Sequence, residues 1–231
     1  MLLKINIAID GHSSCGKGTL ARQLAEKLDY TFIDSGSMYR AVALYFLEND
    51  ILNSDAEQVE LALTQIHLEF LKNNTTNRFE IYLNGKSVEQ RIRQMDVATI
   101  VSEVASLSVV RKELVKMQQN LGAQKGVVMD GRDIGTVVFP DAELKIFMTA
   151  DVEIRAQRRF KELQAAGTAI QYEDVLENLS TRDRIDSSRV DSPLTLTDDY
   201  RLLDNSHVSP KEQLEIALDW VSQIQNNDII S

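Results

Sequence analysis

Little that would signal export, membrane insertion or nucleic-acid binding is present in this sequence. It has one cysteine, Cys15, in 231 residues, which excludes an intrachain disulfide and fits a reducing compartment. Only 3 prolines, no low-complexity tract and no internal repeat leave no evident linker, so the pieces are expected to form one compact unit. Positive charge is in deficit. With 25 Lys and Arg against 35 Asp and Glu, the net charge of −10 argues against a general nucleic-acid binder. Any anion site must then be a local concentration of Arg and Lys. No apolar run approaches the roughly 20 residues of a membrane span. Asp10 interrupts the N-terminal alternation before a signal-peptide pattern develops. His12, His67 and His207 are scattered and propose no metal site. With 43% hydrophobic and 26% charged residues, the expectation is a soluble globular protein of the cytoplasm.

What is present is concentrated near the start. Ile5-Asn6-Ile7-Ala8-Ile9 alternates with the period of a strand. Gly11-His12-Ser13-Ser14-Cys15-Gly16-Lys17-Gly18-Thr19 follows, and Leu20, Ala21, Leu24, Ala25 and Leu28 then recur at helical spacing. Strand, glycine-bounded loop and helix is the arrangement in which backbone N–H groups and a helix dipole converge on phosphate. Lys17 is expected to reach the outer phosphates of a nucleotide and otherwise to face solvent. A plain Gly-rich turn with an exposed lysine is the bland alternative, and the flanking elements count against it. Gly18 stands where most P-loops carry the Ser or Thr that ligates magnesium, which leaves Thr19 as the next hydroxyl. Cys15 is either a reactive thiolate inside the cradle or a small buried hydrophobe beneath it.

Core strands are expected near Ile5, Tyr30, Val127, Leu144 and Arg201, mostly preceded by helices. That alternation predicts an α/β fold, a five-stranded parallel sheet with helices on both faces. Ser35-Gly36-Ser37 reads as a turn before a helix from Met38 to Leu47. Asn49 to Ser54 reads as a loop, and Ser54-Asp55-Ala56-Glu57 as a capping box. From His67 to Val88 the pattern alternates around Asn84-Gly85, a strong hairpin signal, and predicts a small antiparallel β insertion. A helix from Asp96 to Gln119 is expected to break near Ser106-Leu107-Ser108. Helices from Asp151 to Ala166 and from Tyr172 to Ser188 flank Gly167, and Pro210 to Gln225 closes the chain.

Two strand ends carry chemistry. Asp34-Ser35-Gly36-Ser37-Met38-Tyr39-Arg40 ends a strand at the sheet edge where ligands bind, so Arg40 is either a surface residue or an anion fork. Asp130-Gly131-Arg132-Asp133 ends another. An Asp at such a tip resembles the acid that holds magnesium through water, with Arg132 as a phosphate fork and Asp133 as an acceptor. Arg155, Arg158 and Arg159 share one helical face, as do Arg182, Asp186 and Arg189. These are either solvated faces or a mobile helical lid that brings arginines to a transferring phosphoryl group. A guanine-nucleotide switch would need an Asn/Thr-Lys-x-Asp motif, and none occurs.

The loop from Gly11 to Thr19, the segment from Asp34 to Arg40 and the stretch Asp130-Gly-Arg-Asp-x-Gly-Thr-Val-Val-Phe-Pro140 together resemble the bacterial cytidylate kinases. The resemblance spans essentially the whole chain, including the antiparallel insertion, and the segment from Asp130 to Pro140 is its specific part. It implies phosphoryl transfer from ATP, with Mg²⁺, to CMP or dCMP; a monomer is a separate expectation. It also implies a core of residues 1–62, 96–150 and 190–231, a nucleotide-binding insert of 63–95 and a lid of 151–189. Ser35, Arg40, Arg132 and Arg189 fall where the family handles the CMP phosphate. Ser102, Arg111 and Asp133 fall where it reads the cytosine edge. Arg182 and Asp186 fall near the ribose, Asp186 at the 2′-hydroxyl. Arg155, Arg158 and Arg159 lie in the lid facing the ATP phosphates. Lys17, Arg132, Arg158 and Arg189 are the expected catalytic set. His12, Ser14 and Cys15 depart from the usual loop residues. Another P-loop kinase, for uridylate or an alcohol, is the rival that the Asp130–Pro140 segment and the insertion disfavour.

Overall fold

The computed structural model describes residues 3–52, 54–73, 75, 78–165 and 167–227. The elements run in the order β1 (Asn6–Gly11), α1 (Lys17–Leu28), β2 (Thr31–Asp34), α2 (Ser35–Glu48), α3 (Ala56–Thr64), β3 (Leu68–Asn73), β4 (Arg78–Leu83) and β5 (Lys86–Ser87). They continue with α4 (Met95–Ser106), α5 (Ser108–Gly122), β6 (Val127–Gly131), β7 (Leu144–Thr149), α6 (Val152–Ala165), α7 (Tyr172–Ser188), β8 (Arg201–Asp204) and α8 (Pro210–Asn227). Of the expected segments, Asn53 and Ala166 lie outside the described residues. The chain divides into two compact units, residues 1–32 with 124–231, and residues 33–123.

In the first unit β1 lies at the middle of a five-stranded sheet of order β2-β6-β1-β7-β8. All six of its residues are buried, as a central strand covered on both faces requires. It pairs in parallel with β6 and with β7, and β7 pairs in parallel with β8. The registers align Asp10 with Gly131 and Gly11 with Met148, so the tips of three strands meet at one edge of the sheet. The chain leaves β1 and later returns on both sides of it, and in such sheets the crevice beyond that switch point holds the ligand. Helices α6 and α7 share a core of Ala156, Val175 and Leu179, against which Phe160, Leu163 and Tyr172 pack.

The second unit is continuous in sequence. β3, β4 and β5 form the antiparallel sheet, and Asn84 and Gly85 turn between β4 and β5 with φ of 49° and 78°, as a primed turn needs. Helices α4 and α5 are separated at Leu107, whose ψ of 116° is extended, which is the expected break. Two local expectations need correction. Ser35-Gly36-Ser37 is no turn but the first turn of α2, because the Asp34 side chain caps it by accepting from Ser37 N at 3.0 Å. The cap of α3 is Asp55, accepting from Gln58 N at 2.9 Å, and not Ser54 with Glu57.

Candidate active site

The loop after β1 turns through conformations that only some residues tolerate. At Gly11, φ is 147° and a Cβ would lie 2.0 Å from the Met148 carbonyl oxygen, so the strand exit has room for hydrogen alone. Ser14 is left-handed with φ 59°, and Gly16, with φ 92°, precedes the first residue of α1, Lys17. The loop is pinned from outside by a residue the sequence pattern did not single out. Asn205 Nδ2 donates to Cys15 O at 2.6 Å, and Arg158 donates to Asn205 Oδ1 and O at 3.0 and 2.8 Å.

Lys17 is not solvent-facing as expected. It is 5% exposed, with Nζ donating to Gly11 O at 2.9 Å and His12 O at 2.7 Å, and lying 3.8 Å from Cys15 Sγ. The loop curls round its own lysine, two of its carbonyls accepting from the ammonium group. Burial, then the like charge of Arg132, lowers the Lys17 pKa, against the attraction of Cys15, Asp130 and Asp10. Cys15 is fully buried, the setting of a small buried hydrophobe.

Three arginines of this unit, Arg132, Arg155 and Arg189, are each paired with an acid. Arg132 Nε donates to Asp186 Oδ2 at 2.7 Å and its Nη2 to Ser13 Oγ at 2.8 Å. Burial opposes its charge, yet Asp186 outweighs burial and raises the Arg132 pKa. Arg155 is buried, donating to Ala150 O at 2.8 Å, Ser13 O at 3.1 Å and Asp183 Oδ2 at 2.6 Å. Asp183 also accepts from Ser13 N at 3.2 Å and stands 3.6 Å from His12 Nδ1. Burial would raise the Asp183 pKa, but His12 and Arg155 overcome it and lower the value to about 2. Arg189 lies 3.5 Å from Asp133 and 3.9 Å from Asp186. Arg182 is exposed, and its pKa is lowered by the protein around it and then by Arg132, with Arg159 adding to the repulsion.

The three arginines of α6 thus part company. Arg155 faces the loop, Arg158 braces it through Asn205, and Arg159 turns outward to Glu162 at 3.2 Å while staying near enough to oppose Arg182. Asp183 had no signal of its own beyond lying one residue from Arg182. Asp10 had none either. Its buried carboxylate accepts from Ile134 N, Gly135 N and Tyr200 Oη, and burial raises its pKa despite those donors.

Asp130, next to last in β6, lies beside the first turn of α1, its Oδ2 3.8 Å from where a Gly18 Cβ would stand. Among the described residues no three acids, histidines or cysteines cluster as a ready-made metal cage. One carboxylate next to a phosphate cradle is nonetheless the donor set magnesium accepts, because the phosphates and water complete its shell.

In the second unit Arg40 folds back on the cap residue, Nη2 to Asp34 Oδ2 at 2.8 Å, over Gly36, where a Cβ would meet Arg40 Nη1 at 3.1 Å. Ser35 is buried at the start of α2. Arg111 is buried with its guanidinium 5.7 Å from the Tyr39 ring centroid, and Ser102 is exposed on α4.

A parallel sheet whose central strand runs into a glycine-bounded loop, with Lys17, Arg132 and Arg155 at that loop, defines a P-loop nucleotide-binding protein. The family model for cytidylate kinase matches residues 7–223. The cytidylate kinase of Flavobacterium johnsoniae is 52% identical over 228 residues, covering 97% of this chain and 99% of the relative. That of Bacteroides thetaiotaomicron is 53% identical over 223 residues, covering 95% and 96%. The crystal structure of a protein from Eubacterium ventriosum shares the fold, with a TM-score of 0.53 at 11% identity over 96% of this chain and 99% of that one. The chain belongs to the cytidylate kinase family.

Proposed function

We propose that this enzyme transfers the terminal phosphoryl group of ATP to CMP or dCMP, giving ADP and CDP or dCDP. The observation that carries the reading is the convergence of Lys17, Arg132 and Arg155 on the loop between β1 and α1. The acceptor is a phosphate monoester, whose second pKa of about 6 leaves it anionic at neutral pH, so no general base is needed. What the chain must supply is in-line positioning and cancellation of repulsion between two anions. Loop amides from His12 to Thr19 and Lys17 are assigned to the donor phosphates, with Arg155, Arg158 and Arg159 at the lid. Arg132 and Arg189 are assigned to the phosphate under transfer, and Arg182 and Asp186 to the ribose, Asp186 at the 2′-hydroxyl. Asp133 is assigned to the cytosine amino group. In the second unit Ser35 and Arg40 are assigned to the acceptor phosphate, and Ser102 and Arg111 to the base.

Asp130 is the residue that would hold Mg²⁺, through water. When bound, the ion screens the phosphate oxygens against their own charge. The division into a core of 1–62, 96–150 and 190–231, an insert of 63–95 and a lid of 151–189 belongs to this reading, as do a monomeric state and a cytoplasmic location. The lone cysteine and the dependence on ATP support the location. No helix among the described residues is long and apolar enough to cross a membrane. A coupled assay with MgATP and each monophosphate in turn tests the function. Turnover of CMP and dCMP well above UMP is expected; preference for UMP, or for an alcohol acceptor, overturns it.

A further inference from the structure

Asp133 occupies a position at which an aspartate ordinarily spends its own carboxylate. It precedes the π-helical turn Ile134–Val138 with φ −142° and ψ 24°, and its carbonyl accepts from Val137 N and Val138 N at 2.9 and 3.2 Å. An aspartate at such a cap usually turns its side chain onto the first free N–H groups of its helix. Asp133 makes no such hydrogen bond. Those N–H groups go to Asp10 instead, Ile134 N to Oδ1 at 2.9 Å and Gly135 N to Oδ2 at 2.8 Å. Asp10 belongs to β1 and is wholly buried.

A third donor completes the arrangement. Tyr200 Oη reaches Asp10 Oδ2 at 2.7 Å, and its ring packs edge-on against Phe147 with centroids 6.0 Å apart. This approach needs Gly135, since a Cβ there would lie 2.5 Å from Tyr200 Oη. A carboxylate receiving three donors in a dry site holds its neighbours firmly, because leaving any of them unmade would strand a buried polar group.

We infer that Asp10 and Tyr200 are positioning residues, which cap the Ile134–Val138 turn from outside and so keep the Asp133 carboxylate from turning onto that cap and away from the acceptor base. The inference rests on the proposed role of Asp133. Without Asp10 as acceptor, the two N–H groups would draw on the side chain of the cap residue itself, Asp133, and turn its carboxylate from the base. Cytosine offers an amino donor where uracil offers a carbonyl, so the consequence is read in the choice between CMP and UMP.

The test compares kcat/KM for CMP and UMP in Asp10→Asn, Tyr200→Phe and Asp133→Asn. In Asp10→Asn an amide N–H replaces an acceptor and faces donors, so the CMP-over-UMP ratio should narrow about tenfold, and about threefold in Tyr200→Phe, where one hydrogen bond is lost and the ring stays. KM for ATP in Tyr200→Phe should not move. In an Asp133→Asn background, Asp10→Asn should narrow the ratio no further, because the two act through one carboxylate. A folded Asp10→Asn enzyme with the wild-type ratio overturns the inference, as does an undiminished effect in the Asp133→Asn background. Should Asp10→Asn fail to fold, Tyr200→Phe decides alone, a wild-type ratio being the overturning result. An Asp133→Asn enzyme with the wild-type ratio removes the base-reading role and the inference with it, and that failure is visible in the single variant.

Discussion

Lys17 is held by the loop it serves. Two carbonyls and a thiol surround its ammonium group, and both burial and Arg132 disfavour its charge. In the proposed role, a nucleotide phosphate adds negative charge that offsets that conflict. Lys17→Met should therefore lower kcat by about 10³-fold, the range seen when a charge-stabilising donor is removed. Its thermal unfolding should fall only modestly, because the methylene stem still fills the space while the Gly11 and His12 carbonyls lose a donor. Near-normal turnover in a folded variant would remove Lys17 from the chemistry. Asp186 makes a subtler case, since it accepts from Arg132 at 2.7 Å as well as being assigned to the ribose. Asp186→Ala should slow both substrates by loosening Arg132, and slow CMP more than dCMP by losing the 2′-hydroxyl. Equal losses for CMP and dCMP would leave Asp186 as a partner of Arg132 only.

At the scale of the element, α7 is moored by acids. Asp183 joins it to Arg155 and to the backbone of Ser13, and Asp186 joins it to Arg132. The pKa of Asp183 is depressed to about 2, below the roughly 3.9 of an unfolded aspartate. The stability it contributes is thus complete above about pH 4 and is lost as the pH falls towards 2. Amide protection in α7, with exchange referred to the intrinsic rate at each pH, should fall across that window in the wild type, and an Asp183→Asn protein should show lower protection already at neutral pH with little further change. A wild-type α7 indifferent to pH between 4 and 2 would contradict the mooring. Much of this element level was legible beforehand. The helical periodicity of α6 and α7, the Asn84-Gly85 hairpin and the break at Leu107 all arise from neighbours in sequence. What escaped was of the other kind. Nothing near Asp10, Asp183 or Asn205 announces partners more than a hundred residues away, and no local pattern distinguishes the π-turn at Ile134 from an ordinary loop. The start of α2 was missed because Ser-Gly-Ser satisfies turn and first-turn chemistry alike, and only the Asp34 cap decides between them.

At the scale of the molecule, the net charge of −10 coexists with a site built from Lys17 and arginines, so the site draws anions against the field of the rest of the chain. The two units differ in how they are closed. Residues 33–123 form one continuous stretch with a core that includes Met38, Phe46, Ile92 and Leu114, whereas the first unit brings together residues 1–32 and 124–231 around Ile7, Ile9, Val128 and Ile146. Every residue assigned to the donor phosphates, from Gly11 to Thr19 and from Arg155 to Arg159, is in the first unit. A ligand stabilises what it binds by mass action, about 2.7 kcal/mol at a hundred times its Kd. MgATP at that excess should slow exchange of the buried amides of β1, β6 and β7 by about a hundredfold, through the suppressed opening of their unit. The amides of β3, β4 and β5 should keep their rates. Equal slowing in both units would mean that the chain opens as one cooperative body, and slowing confined to β3–β5 would take the donor site away from the loop after β1.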